Sequence, residues 1–169
     1  MTPPPWALSL AYWLHMIATV IWIGGLVTLA VMVLPAARGA LDAEGYSNLI
    51  GNIQRRLDPL AWFSLVMLLG TGMVQMSANP NYQGFLAIDS TWAAAIFAKH
   101  LVFFGMAGLS AYLTWGVMPG LRRIALRRAR GQAVPEAEKL QRQEALLLRS
   151  NLILGMIVLA LTALARVAQ

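Results

Sequence analysis

The sequence predicts an all-α integral membrane protein, a four-helix bundle running up-down-up-down with both chain ends on the non-cytoplasmic side. Three observations predict it: four long apolar segments, a composition of 59% hydrophobic and only 12% charged residues, and connections that alternate between basic and uncharged-by-base. An ordinary soluble domain carries about 25% charged residues. This chain has too few polar groups to coat a surface facing water, so lipid must cover part of it.

Crossing a hydrocarbon core of about 30 Å takes about 20 apolar residues at 1.5 Å each. Residues 6–37, 57–77, 92–119 and 146–168 meet that test, which gives one four-span domain over residues 1–169. The first segment carries no charge between Trp6 and Arg38, and Pro35 and Pro119 lie near segment ends, where a missing backbone donor costs little. The leader Met1-Thr2-Pro3-Pro4-Pro5 lacks the basic residues of a secretory signal, so the first segment reads as a retained span. Pro135-Glu136 resembles a helical first turn and Glu138 to Arg142 is a favourable i,i+4 pair, so the fourth helix is expected to begin before its apolar part.

Lys and Arg counts give the direction independently of hydropathy, because basic residues are retained in cytoplasmic loops. The leader and the connection over residues 78–91 have none. The first connection has Arg38, Arg55 and Arg56; the third has Arg122, Arg123, Arg127, Arg128, Arg130, Lys139 and Arg142, with Arg149 just beyond. These basic loops read as cytoplasmic faces of a multi-pass protein of the inner (plasma) membrane. Trp6, Tyr12, Trp13, Tyr82 and Trp92 then fall at the outer interface, and Trp62 and Trp115 at the inner one. The net charge of +6 is thereby topological, not the footprint of a nucleic-acid binder. The cluster from Arg122 to Arg130 reads as a topology determinant, or as a site for anionic lipid or a partner protein.

Absence of cysteine excludes disulfides, thiolate metal sites and thiol catalysis. No carboxylate pair, nucleophile triad or phosphate-binding glycine loop stands out, so an electron carrier, a transporter or a subunit is expected rather than a catalyst.

Ionisable groups within the spans are the candidate site: His15, Lys99, His100 and Arg166. His15 follows Trp6 by nine residues and His100 follows Trp92 by eight. Both therefore lie about 12–13 Å below the outer interface. In a bundle with short loops the first and third helices are diagonal. Two imidazoles could then hold a haem b as axial ligands. The face of His15 carries Ala18, Thr19, Trp22 and Leu26; that of His100 carries Ile96, Phe103, Phe104, Ala107 and Ala111. Arg166 could pair with haem propionates or reach headgroups. Lys99 could snorkel or pair with an acid, Asp89 being the nearest. Ordinary interhelical hydrogen bonding would also account for each histidine.

Copper is the second candidate ligand, since imidazoles and thioethers suit it. Met16, Met73, Met76 and Met106 lie in the outer half, with Met73 and Met76 three apart on one helix face; as gap-filling core residues they would need no metal. A chlorin pigment held by one histidine is a third.

Leu14-His15-Met16, Trp22-Ile23-Gly24-Gly25-Leu26 and Leu34-Pro35 resemble the first helix of the copper-resistance D (CopD) membrane domain. Arg55-Arg56-Leu57, Gly70-Thr71-Gly72, Ala98-Lys99 and Pro119-Gly120-Leu121-Arg122-Arg123 continue the pattern. That resemblance implies a four-helix unit associated with copper uptake or handling. The layout is also similar, more distantly, to HemJ-type protoporphyrinogen oxidases, which would make His15 a haem ligand and Lys99 a functional lysine; Val31 to Ala36 lacks the basic and aromatic residues expected there. The leading expectation is a b-type haem protein of CopD-like architecture with His15 and His100 on the iron, passing electrons near the outer face. Its rivals are a copper-handling membrane protein and a structural subunit of a larger membrane complex. Expected partners are the lipid bilayer, a redox partner or larger complex, and a second copy of the chain.

Overall fold

The computed structural model describes residues 3–86, 88–128, 130–132 and 134–168, with helices and connecting segments and no strand among them. Met1 and Thr2 of the leader lie outside the described residues. Among the described residues, four helices are long and apolar enough to cross a membrane: the first, Pro5–Ala40; the second, Glu44–Ser77; the third, Thr91–Arg128; and the fourth, Ala137–Val167. The second, third and fourth run well beyond their apolar segments, the second by about three turns at its start. Hydropathy marks only the part suited to hydrocarbon, whereas local signals set where a helix begins. Asp42 caps the second helix by accepting from the Gly45 N–H at 2.8 Å, and Ser90 caps the third by accepting from the Ala93 N–H at 3.1 Å.

The first and third helices share one irregularity. Each contains a π-helical turn, Thr28–Val33 and Tyr112–Val117, and each turn is followed two residues later by a proline, Pro35 and Pro119. A helical proline has no N–H and its ring collides with the carbonyl four residues back. In both helices that carbonyl, of Val31 and of Trp115, belongs to the wider turn, which moves it aside and lets the helix continue.

Neighbouring helices run antiparallel, and their register can be read from residues in contact. Ala11 meets Gln75 and His15 meets Thr71 between the first and second helices. Ser110 meets Asn151 between the third and fourth, and Arg38 meets Gln141 between the first and fourth. Gly155 gives space to the side chains of Met106 and Ile23, letting the first, third and fourth helices approach one another closely. Contact is most extensive between the first and second helices and between the third and fourth, so the bundle is two helical hairpins laid together. One end carries Pro5, Ser77, Thr91 and Val167; the other, arginine-rich end carries Ala40, Glu44, Arg128 and Ala137.

Trp22, Leu26, Leu29, Ile50, Leu65 and Leu148 form the buried centre. The outside is apolar too: Val20, Val66 and Leu101 are 72%, 68% and 59% exposed. Such an inverted surface is what hydrocarbon covers, since contiguous apolar area on this scale is not left in water. Phe104, expected on the face of His100, is exposed instead. Phe103 takes the inward place against the core and meets the Phe104 ring edge to face at 5.7 Å.

Candidate functional site

Between the two hairpins, in the half of the bundle nearer the chain ends, lies a cavity of about 660 Å³ to which all four helices contribute. That is the size range of small-molecule and cofactor sites. Both histidines line it, and so do Lys99 and Arg166. The four ionisable groups singled out by sequence are thus brought to one space, from the first, third and fourth helices.

Each imidazole is held by its Nδ1. His15 Nδ1 lies 2.8 Å from Thr71 Oγ1, and the Thr71 hydroxyl itself donates to the Met67 carbonyl. With its one proton so used, Thr71 can only accept, which puts the hydrogen of His15 on Nδ1. His100 Nδ1 lies 2.7 Å from the Ile96 carbonyl oxygen, which also can only accept. With its hydrogen on Nδ1, each ring when neutral carries its lone pair on Nε2, and neither Nε2 has a hydrogen-bond partner among the described residues. A donor pinned at one nitrogen with the other left basic is the usual condition of a metal-binding histidine. Gly72 packs beside this arrangement: a Cβ there would stand 3.4 Å from His15 Cε1, in van der Waals contact with the ring. The ring of Phe85, from the connection before the third helix, meets His100 edge-on at 5.1 Å.

Three of the four methionines line the same cavity. Met76 and Met106 are buried, and Met16, 59% exposed, stands at its rim with Val20. Met73 does not join them. It is half exposed while Met76 is buried, because three residues along a helix turn the side chain by about 300°, and only Met76 meets Trp92, Ala95 and Ala165. No Asp or Glu lines the cavity, and among the described residues no group of three or more His, Cys, Asp and Glu could hold a metal ion. The ion pair between Lys99 and Asp89 weighed from the sequence is not formed. Lys99 lies within electrostatic reach of His15.

Sequence reasoning missed a second polar group, at the arginine-rich end. Glu144 is fully buried there, accepting from Gln54 Nε2 at 2.8 Å and from the Tyr46 hydroxyl at 3.4 Å. Arg38 stands over the Tyr46 ring at 5.7 Å and donates to the Gln141 carbonyl at 3.1 Å. About two turns further along the fourth helix, Asn151 Nδ2 donates to Ser110 Oγ at 2.7 Å.

Apolar helices of spanning length and a lipid-type exterior around an internal cavity lined by imidazoles and thioethers define a multi-pass membrane protein with an internal cavity in one half of the bundle. The model of the family described as copper resistance protein D (CopD) matches residues 51–165, more than half the chain, and the chain belongs to that family. No curated protein and no solved structure matches it. The matched segment spans His100, Lys99, Thr71, Met76 and Met106, while His15 and the rest of the first helix lie before it.

Proposed function

We propose that this chain handles copper within the membrane, with monovalent copper as cargo in the large cavity. His15 and His100 supply Nε2, Met76 and Met106 supply thioether sulfur, and Met16 offers a further sulfur at the rim. The observation that carries this reading is the donor set: two imidazoles tied at Nδ1 share one space with buried thioethers and no carboxylate. Soft and borderline donors of that kind suit Cu(I), whereas Mg²⁺ and Ca²⁺ require oxygen. Membership of the copper-resistance family supports the same ligand.

The charge pattern supports an orientation in which the arginine-rich end faces the cytoplasm, both chain ends lie outside, and the membrane is the plasma membrane. The cavity then opens nearer the outer face. Because the native chain has no cysteine, a single one introduced at Asn81 should react with an impermeant maleimide added to intact cells. One introduced at Gly131 should react only after lysis, and the opposite pattern would reverse the orientation.

Anaerobic titration of detergent-purified protein with Cu(I) against a competing chelator tests the ligand. His15→Ala and His100→Ala should each weaken binding at least about tenfold, and unchanged affinity in both would refute the site. In the same titration Lys99→Met should strengthen binding by about tenfold, since it removes a positive charge that a cation must otherwise face at low dielectric.

That lysine also favours a second reading. Lys99 and Arg166 line the cavity together with both histidines, a set suited to a b-type haem with an imidazole on each face of the iron and its propionates on the two cations. Under this reading Lys99→Met weakens retention instead. An absorption spectrum of the purified protein separates them: a Soret band with reducible α and β bands belongs to haem, red-shifted bands belong to a chlorin, and copper gives neither.

A further inference from the structure

A smaller cavity of about 70 Å³ lies beside the large one, lined by Trp22, Gln54, Asp58, Ser110 and Asn151 among others. Three of these residues are more than nine-tenths buried and each leaves a polar atom with no hydrogen-bond partner: Trp22 Nε1, Gln54 Oε1 and Asn151 Oδ1. One donor and two acceptors orphaned around a single space are costly unless something fills it. The volume is several times the roughly 10–15 Å³ that one water needs, and a buried water takes two to four polar partners.

The two cavities are contiguous in structure. Trp22 lines both of them, and Met106 of the large cavity is one turn from Ser110 of the small one, whose hydroxyl donates to the Met106 carbonyl at 2.9 Å. On the other side, the amide that leaves Oε1 unpaired is the one whose Nε2 binds Glu144. Among the described residues Glu144 has no salt bridge; its two oxygens are met by the neutral donors Gln54 and Tyr46, with the Arg38 charge within electrostatic reach. Every element packed against it contributes a polar group. The first helix brings Arg38, engaged with Tyr46 and the Gln141 carbonyl; the second brings Tyr46 and, at the small cavity, Asp58, which is within electrostatic reach of Arg122 on the third. The fourth brings Arg142, which pairs with exposed Glu138 instead.

We propose that Glu144 and the small cavity form a proton-binding site, joined to the large cavity by water bridging Trp22, Gln54 and Asn151. Resting on the copper reading, its role is charge balance. A monovalent cation entering the bundle adds one positive charge to a region where unpaired charge is expensive. If the O–H bond of the Glu144 acid then breaks and its proton leaves to water at the arginine-rich end, a carboxylate remains. The interior charge is unchanged. Copper and proton exchange one for one, with no oxidant or reductant required.

Infrared difference spectroscopy of the metal-free protein between acidic and alkaline pH tests the site without copper. The native protein should show the carbonyl band of a protonated, buried carboxylic acid, and Glu144→Gln should lose it. Gln54→Leu, which removes the hydrogen bond from Gln54 Nε2 to Glu144 Oε1, should shift the band's frequency. A native protein without the band, or a variant that keeps it whole, overturns the proton site. Adding Cu(I) should then bleach the band in the native protein. A band that persists while Cu(I) binds overturns the exchange, whereas a protein that shows the titrating band and binds no copper retains the proton site and refutes the copper reading alone.

Discussion

The two halves of this bundle leave very different space around their polar groups. Near the chain ends His15 and His100 are each held by one nitrogen, and the helices stand apart around a cavity of about 660 Å³. Toward the arginine-rich end the second and fourth helices meet across the bundle through Gln54 and Glu144, and the remaining space shrinks to about 70 Å³. The difference also lies in donor chemistry. The wide half presents imidazole and thioether, donors that suit a soft metal ion, while the narrow half presents amide oxygens and an indole N–H, which suit water. A ligand site is made where side chains are anchored by one valence and left with another.

The largest effect expected from breaking this contrast is at Thr71. Thr71→Val keeps the shape but removes the oxygen that accepts from His15 Nδ1. The imidazole is then free to rotate or to move its proton to Nε2, where it blocks the metal. Groups that orient a metal-binding histidine in this way are worth about 10- to 100-fold in affinity. The chelator-competition titration should show a loss of that size with helix content unchanged by circular dichroism. Affinity equal to the native protein's would mean that Thr71 serves only helix packing.

Much of the wide half could be read from the chain. A helix advances a constant distance per residue, so counting from Trp6 and Trp92 was enough to put His15 and His100 at one level, and the structure has them line one cavity. Composition and four long apolar runs were enough for the four helices. What could not be read is which neighbour meets each ring. Thr71 lies 56 residues from His15, and nothing local to either marks the pair. The twist that separates Met73 from Met76 was within reach, since three residues fall short of a full turn. Separation in sequence also hid the narrow half: Tyr46 and Gln54 lie 98 and 90 residues from Glu144. One signal was present. Glu144, Leu148, Asn151 and Gly155 are buried along the fourth helix, and their i, i+4, i+7, i+11 spacing is that of an inward stripe. A glutamate and an asparagine on that stripe point to partners, but Glu144 lies among the arginines and Lys139 of the basic third connection, which reads as a cytoplasmic face.

The smallest effect comes from the control for that narrow half, a second carboxylate on the same helix. Glu138 is six residues before Glu144 and pairs with Arg142 at 3.9 Å, but the two side chains are 81% and 83% exposed. Solvent screens such a pair, and ordering two long side chains offsets most of the attraction, leaving about 0.3–0.5 kcal/mol. Glu138→Gln should therefore leave the melting temperature in detergent within error of the native protein. Glu144→Leu strips a buried acceptor from Gln54 and Tyr46, and an orphaned buried donor costs about 1–3 kcal/mol. Its melting transition should fall by several degrees. Equal shifts for the two variants would mean that Glu144 is solvated like its neighbour, and the closed, hydrogen-bonded character of this end would be lost with it.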